Sequence, residues 1–232
     1  MKGPAVPPFD SDAIAATLPS LDLVFVEAGS SEVHRLPQQW QPVAADTDPG
    51  NRLAMALALW NEPFLTALPR FTTALRTQFV DVRPCLADGE PALVYLATDD
   101  AGDLVSWIGL DPAGFVEPHF WGNFPGPLRV FQRQVHAGFT SEEPDTFGPM
   151  HPRYMETIAE RAGEPDGFPD WDEVQEIAST RLLLITSNGS QLDYCVSPDI
   201  ETDMLALVHE GDIDPTPYGK ALDNLFMLRF EW

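Results

Sequence analysis

The sequence predicts an α+β fold, with a mixed, mainly antiparallel sheet and helices covering one face and the ends. Three observations carry that reading. Residues 182–210 (LLLITSNGSQLDYCVSPDIETDMLALVHE) read as three short strands in a meander, because Ser187-Asn188-Gly189-Ser190 tolerates positive φ and Ser197-Pro198-Asp199 turns the chain again. Residues 92–97 (ALVYLA) and 104–110 (LVSWIGL) make a second strand pair around a loop of turn-forming Asp, Thr and Gly. Strands and helices do not alternate regularly, which disfavours a parallel doubly wound sheet.

In chain order, residues 1–8 form a Pro-rich tail. Ser11 reads as an N-cap for a short helix over residues 12–18, which Pro19 ends. Residues 21–28 alternate as a strand, and Gly29-Ser30-Ser31 offers a hairpin turn to residues 33–36. The Ala/Leu-rich stretch 52–60 (RLAMALALW) reads as a buried helix apolar on most sides, and residues 71–79 as another. Residues 115–120 add a strand. In residues 128–139 (LRVFQRQVHAGF) Leu128, Phe131, Val135 and Phe139 recur at helical steps, which leaves Arg129, Gln132 and Arg133 for solvent and ends the helix near Gly138. Residues 151–162 give a further amphipathic helix, and residues 218–230 a last one with Leu222, Leu225, Phe226 and Phe230 inward. The division drawn from this order is residues 1–118, an N-terminal α+β region packed on or extending the sheet of residues 119–232.

Composition narrows the function classes. A chain of 232 residues with 44% hydrophobic content can bury a sizeable core. Its 36 acids against 13 Lys plus Arg give a formal net charge of −23, so nucleic acid and anionic membrane are expected to be poor partners. The charge has two readings, general solubility or a surface made for a positive partner. Cys85 and Cys195 fall in no metal or redox spacing. With no signal-like N-terminus or apolar run of spanning length, a cytoplasmic location with reduced thiols is expected.

Phosphate loops, the GxSxG elbow and the HExxH helix are absent from the sequence. His136 reads as a partly exposed helix residue, and a general base needs a positioned partner. His209 with Glu210 and Asp212 could chelate a metal, the feature on which a hydrolase reading would rest, although one imidazole among loop carboxylates is a weak pattern. No cofactor is expected. Between residues 164 and 214 acids follow one another against the single base Arg181. Asp170, Trp171, Asp172, Glu173 and Glu176, with Asp193, Tyr194, Asp199, Glu201 and Asp203 on neighbouring turns, are the candidate partner-binding residues. An aromatic among carboxylates suits a hot spot for an Arg- or Lys-bearing partner, and the plainer reading makes Trp171 a lid on the core.

Residues 121–230 resemble the SUKH superfamily, many of whose bacterial members are immunity proteins against polymorphic toxins. The resemblance rests on a Pro-marked helix (FPGPLRVFQRQVHAGF), an aromatic-Gly turn with Pro and Met (FGPMHP), an apolar strand into an Asn-Gly turn (LLLITSNGSQLDYCV), a strand ending in acids (MLALVHEGD) and a closing amphipathic helix. It implies a non-enzymatic, protein-binding inhibitor without a cofactor, whose partner is a cognate toxin domain, often a nuclease. A regulatory scaffold of the same fold, binding an endogenous protein, is the alternative.

Overall fold

The computed structural model describes residues 9–231; the Pro-rich tail expected over residues 1–8 lies outside them. The chain is α+β, built on two antiparallel sheets. Helix α1 (Ser11–Ala16) is capped by Asp10, whose side chain accepts from Ala13 N–H at 2.7 Å, so the cap falls one residue before the expected Ser11. Strand β1 spans only Leu23–Phe25, and the expected hairpin after Gly29 is replaced by a 3-10 turn, Ser31–Arg35, which Ser30 caps through Glu32 N–H. Helices α2 (Gln41–Ala45), α3 (Pro49–Leu57), α4 (Glu62–Ala67) and α5 (Pro69–Thr77) follow. Helix α3 is not sunk in the core as its composition suggests. Ala56 alone of it is fully buried; Leu53, Met55 and Leu57 pack partly buried against the core, because the helix lies on strand β2 (Phe79–Ala87) and α2 at the edge of the molecule.

Strand β2 begins at Phe79, the end of the helix expected over residues 71–79, and runs through residues for which the sequence suggested no element. It pairs with β3 (Glu90–Thr98) through the two-residue turn Asp88-Gly89, both at positive φ, and β3 pairs with β4 (Leu104–Leu110) in the expected hairpin. Pro84 is tolerated because Leu93 opposite it is a non-hydrogen-bonded partner, so the missing N–H faces β1. There Pro84 accepts from Val26 N–H at 2.9 Å, donates nothing, and the β1 ladder stops. Alternation along β3 feeds two cores. Leu93, Tyr95 and Ala97 enter the main one, while Ala92, Val94 and Leu96 meet Ile14 and Leu18 of α1 on the other face.

The expected strand at residues 115–120 is absent. Phe115 instead packs on Trp121, with ring centroids 4.9 Å apart, and Phe120 takes φ +57° before a 3-10 turn. Helix α6 (Gly126–Gln134) ends five residues earlier than its apolar spacing suggests. The chain reverses at residues 136–138, where a Cβ on Gly138 would stand 2.6 Å from His151 N, and Phe139 reaches the core from strand β5 (Phe139–Thr140). Gln132, expected in solvent, is fully buried and donates to the carbonyls of Ala137 and Met150 at 3.2 and 3.0 Å. The long helix expected over residues 151–162 is a 3-10 turn, Pro152–Tyr154, followed by α7 (Ile158–Arg161), which starts at a Thr157/Glu160 capping box.

Helix α8 (Pro169–Asp172) leads to the second sheet, β6 (Leu183–Ser187), β7 (Leu192–Val196), β8 (Met204–His209) and β9 (Asp212–Pro217). The expected meander thus has a fourth strand, paired through a Glu210-Gly211 turn at φ +50° and +94°. His209 and Asp212 close that turn as a hydrogen-bonded pair, which puts Pro215 and Pro217 at non-hydrogen-bonded positions, their nitrogens on the free edge. Helix α9 (Tyr218–Met227) buries Leu222, Leu225 and Phe226, and Phe230 follows, as expected.

Residues 146–150 connect the sheets. Pro149 O accepts from Phe139 N–H at 2.8 Å on one side, and Phe147 and Met150 N–H donate to Ser187 and Ile185 carbonyls at 3.0 and 2.8 Å on the other. One continuous core runs from Val26 to Phe230, and the stacked pair Phe71–Phe226, at 4.2 Å between centroids, joins α5 to α9.

Candidate functional site

Between residues 164 and 214 the chain holds thirteen acids and one base, a surplus of twelve in a total of twenty-three. Nine Arg–carboxylate ion pairs form among the described residues, and one of them, Arg181–Asp199, uses an acid of this segment. Elsewhere eight of twenty-three acids are neutralised in this way. The segment that forms α8 and the second sheet therefore carries a dense run of acids almost without arginine partners.

The ten candidate residues divide by what the fold does with them. Asp170, Glu173 and Glu176 are exposed on α8 and the turn after it, as are Glu201 and Asp203 between β7 and β8. Trp171 is half-buried: its indole Nε1 donates to Ile177 O at 2.9 Å, and its ring lies beside the Glu210-Gly211 turn, 3.9 Å from where a Gly211 Cβ would stand. It is a lid on the core, not a free aromatic anchor. Asp172 holds that lid down by accepting from Ser179 N–H at 2.8 Å and Ser179 Oγ–H at 3.0 Å. Tyr194 is only 3% exposed, and burial pushes its pKa to about 12, so it offers no contact surface. Asp193, half-buried next to it, has its pKa raised by burial, with Arg161 opposing and Asp145 adding to the rise. Asp199 receives the Arg181 fork, with Nη2 to Oδ1 at 2.6 Å; that hydrogen bond lowers its pKa and cancels its charge locally.

Exposed acids gather towards the two ends of strand β8, with the exposed Asp214 of β9, opposite Leu207, between them. The six residues of β8 at about 3.3 Å each set the ends roughly 20 Å apart. Asp170, Glu173 and Glu176 stand near the β8–β9 turn, because Trp171 packs there; Glu201 and Asp203 stand at the far end of the same strand. Glu210 and Asp212 join the first group through the unforeseen β9 hairpin, an Asp/Pro alternation (DIDPTP) that has no apolar strand signal.

His136 is not on a solvent face. It is fully buried, its Nε2 lies 2.8 Å from Tyr95 Oη, and Tyr95 Oη accepts from Trp60 Nε1–H at 3.2 Å. Burial drives its pKa down to about 3, against a smaller upward pull from the backbone at Leu110, so the ring is neutral at pH 7. His151 borders a cavity of about 210 Å³ with Arg153, Glu90 and Tyr154. Arg153 spends its fork on Glu90 and gives its Nε–H to His151 Nδ1 at 3.2 Å, so these polar groups satisfy one another. His209 is exposed at the end of β8, and among the described residues no group of three or more His, Cys, Asp or Glu side chains converges to hold a metal ion. Among the same residues no helix is long and apolar enough to cross a membrane.

Comparison of the chain with models of known families, with characterised proteins and with solved structures returned no match in any of the three.

Proposed function

We propose that the chain is a non-catalytic immunity protein of SUKH type that binds a cationic toxin domain through the acids of α8 and the second sheet. The observation that carries the reading is the acid surplus of residues 164–214, which is left almost without arginine partners. A toxin that cleaves nucleic acid must present a positive surface to a polyanion, and an acidic protein competes for that field. Association is then steered, with rates raised about 10- to 1,000-fold over uncharged encounter. The proposed place of action is the cytoplasm, where an incoming toxin meets its target.

The spread of these acids along β8 shapes the contact. A partner spanning roughly 20 Å engages Asp170, Glu173 and Glu176 at one end and Glu201 and Asp203 at the other. Trp171 and Tyr194 support that surface from beneath, and the exposed Asp172 ties α8 to Ser179. The free edge of β9 favours contact through side chains, since Pro215 and Pro217 remove two of the three outward positions, Ile213 keeping its N–H, from which an added strand would accept.

The test is co-purification with the C-terminal domain of a large secreted protein encoded beside this chain, and protection of cells that express that domain. Glu173→Lys with Glu176→Lys is expected to weaken capture and abolish protection. Capture and protection equal to the unaltered chain would remove the acidic surface from the account.

A further inference from the structure

One groove has arginines in its wall and no carboxylate, which sets it apart in a chain with nearly three acids for every base. It encloses about 550 Å³ between Pro63 of α4, Trp121, and Pro127, Arg129, Val130 and Arg133 of α6. Four other cavities place acids beside their arginines: Glu90 with Arg153, Asp111 with Arg133, Asp145 with Arg161, and Glu27 and Asp46 with Arg52 and Arg83. Arg129 forms no ion pair among the described residues, whereas nine other arginines do.

The rest of the groove is apolar and preformed. Val130 is 39% exposed on the outward side of α6, next to Trp121, over whose ring the Arg133 guanidinium sits at 5.7 Å. Asn61 braces the wall by donating to Pro127 O at 3.1 Å, and its buried Oδ1 has no partner among the described residues. Past Arg133 and Gln134, which line both, lies a second hollow walled by Pro37, Gln38, Pro112 and Asp111, so the stretch without a carboxylate is the first groove alone. The two together form a trough, which suits an extended chain more than a compact small molecule.

We propose that this trough docks an extended segment of a partner protein carrying a carboxylate side chain beside a large apolar one. The carboxylate meets Arg129, and the apolar side chain lies on the exposed Val130 and Pro63. Charge complementarity selects this occupant. A nucleic acid would bring its phosphates against a molecule of net charge −23, and a second copy brings the same repulsion. The site is independent of the toxin-binding surface and opposite to it in sign.

The experiment is fluorescence polarisation of the full chain with a short fluorescein-labelled peptide built from Glu, Leu and Phe, against the same peptide with Lys for Glu. The Glu peptide is expected to bind saturably and the Lys peptide not to bind. Arg129→Glu should weaken binding by about five- to tenfold. Val130→Asp, at an exposed position, should weaken it by at least as much with a far-UV circular dichroism spectrum equal to that of the unaltered chain. Equal binding of both peptides, equal binding by both variants, or no saturable binding up to about 1 mM would each overturn the proposal. So would sedimentation showing dimers of the unaltered chain that Val130→Asp dissolves, since the trough would then belong to a second copy.

Discussion

Asp223 of α9 caps helix α5 from the opposite end of the chain: its Oδ1 accepts from Phe71 N–H at 2.9 Å and its Oδ2 from Arg70 N–H at 3.3 Å. Leu68, the residue before α5, provides no side-chain cap. The first turn of α5 thus depends on a carboxylate more than 150 residues away, and the Phe71–Phe226 stack reinforces the same junction. Asp223→Ala is expected to cost about 1–2 kcal/mol in urea unfolding. Asp223→Asn, which keeps an acceptor oxygen, should cost less. Equal losses would show that the carboxylate acts by charge and not as a cap.

Arg52 and Asp81 form a fork-to-carboxylate pair with both side chains almost hidden, Nη2 to Oδ2 at 2.7 Å and Nε to Oδ1 at 2.8 Å. This pair ties α3 to the bulged start of β2. Removing one partner strands the other charge, so Arg52→Ala should destabilise by about 3–5 kcal/mol. Arg52→Met with Asp81→Leu should recover much of that in the same denaturant titration. A double variant no better than the single would mean that the bulge itself needs the pair.

His136 ties stability to pH. Its folded pKa, about 3, lies below the ordinary value of 6.5, so between those limits the unfolded chain binds a proton that the folded chain refuses. Stability is therefore complete above pH 6.5 and falls as pH drops towards 3, by on the order of 2 kcal/mol between pH 7 and 5 from this ring alone. His151, lowered to about 4 mainly by burial, pulls the same way. Urea midpoints measured from pH 7 to 5 should decline, and His136→Gln should flatten the decline. A slope untouched by that substitution would assign the acid sensitivity elsewhere.

Pro215 and Pro217 guard the outer edge of β9. Replacing both with Thr restores two outward donors. Association is then expected in sedimentation velocity, most clearly at high salt, where the repulsion of a −23 chain is screened. A strictly monomeric double variant under those conditions would show that charge alone protects the edge.

The elements legible in the sequence are those whose local signals agree with their neighbours. The β3–β4 hairpin shows two short apolar runs on either side of an Asp/Gly loop, and α9 keeps one apolar face throughout. Strand β2 was hidden by Arg83-Pro84, although the Asp88-Gly89 turn after it is a strong hairpin sign. Strand β9 has almost no apolar content and exists because a tight turn lays it along β8. The helical spacing of Leu128, Phe131, Val135 and Phe139 marked four buried side chains correctly, but the last arrives through a chain reversal. At the candidate site the acids were visible in the sequence. Their neutralisation was not, since Arg181 meets Asp199 only after the chain folds back, and the burial of Tyr194 follows from sheet packing.

The central claim is that uncompensated carboxylates on α8 and the second sheet attract a cationic protein. Stopped-flow association with the cationic toxin domain proposed as its partner, measured from low to high ionic strength, tests it most directly. The account predicts a rate that falls more than about tenfold across the series and a much shallower fall for Glu173→Lys with Glu176→Lys. A rate indifferent to salt, or equally salt-sensitive in that variant, would contradict it.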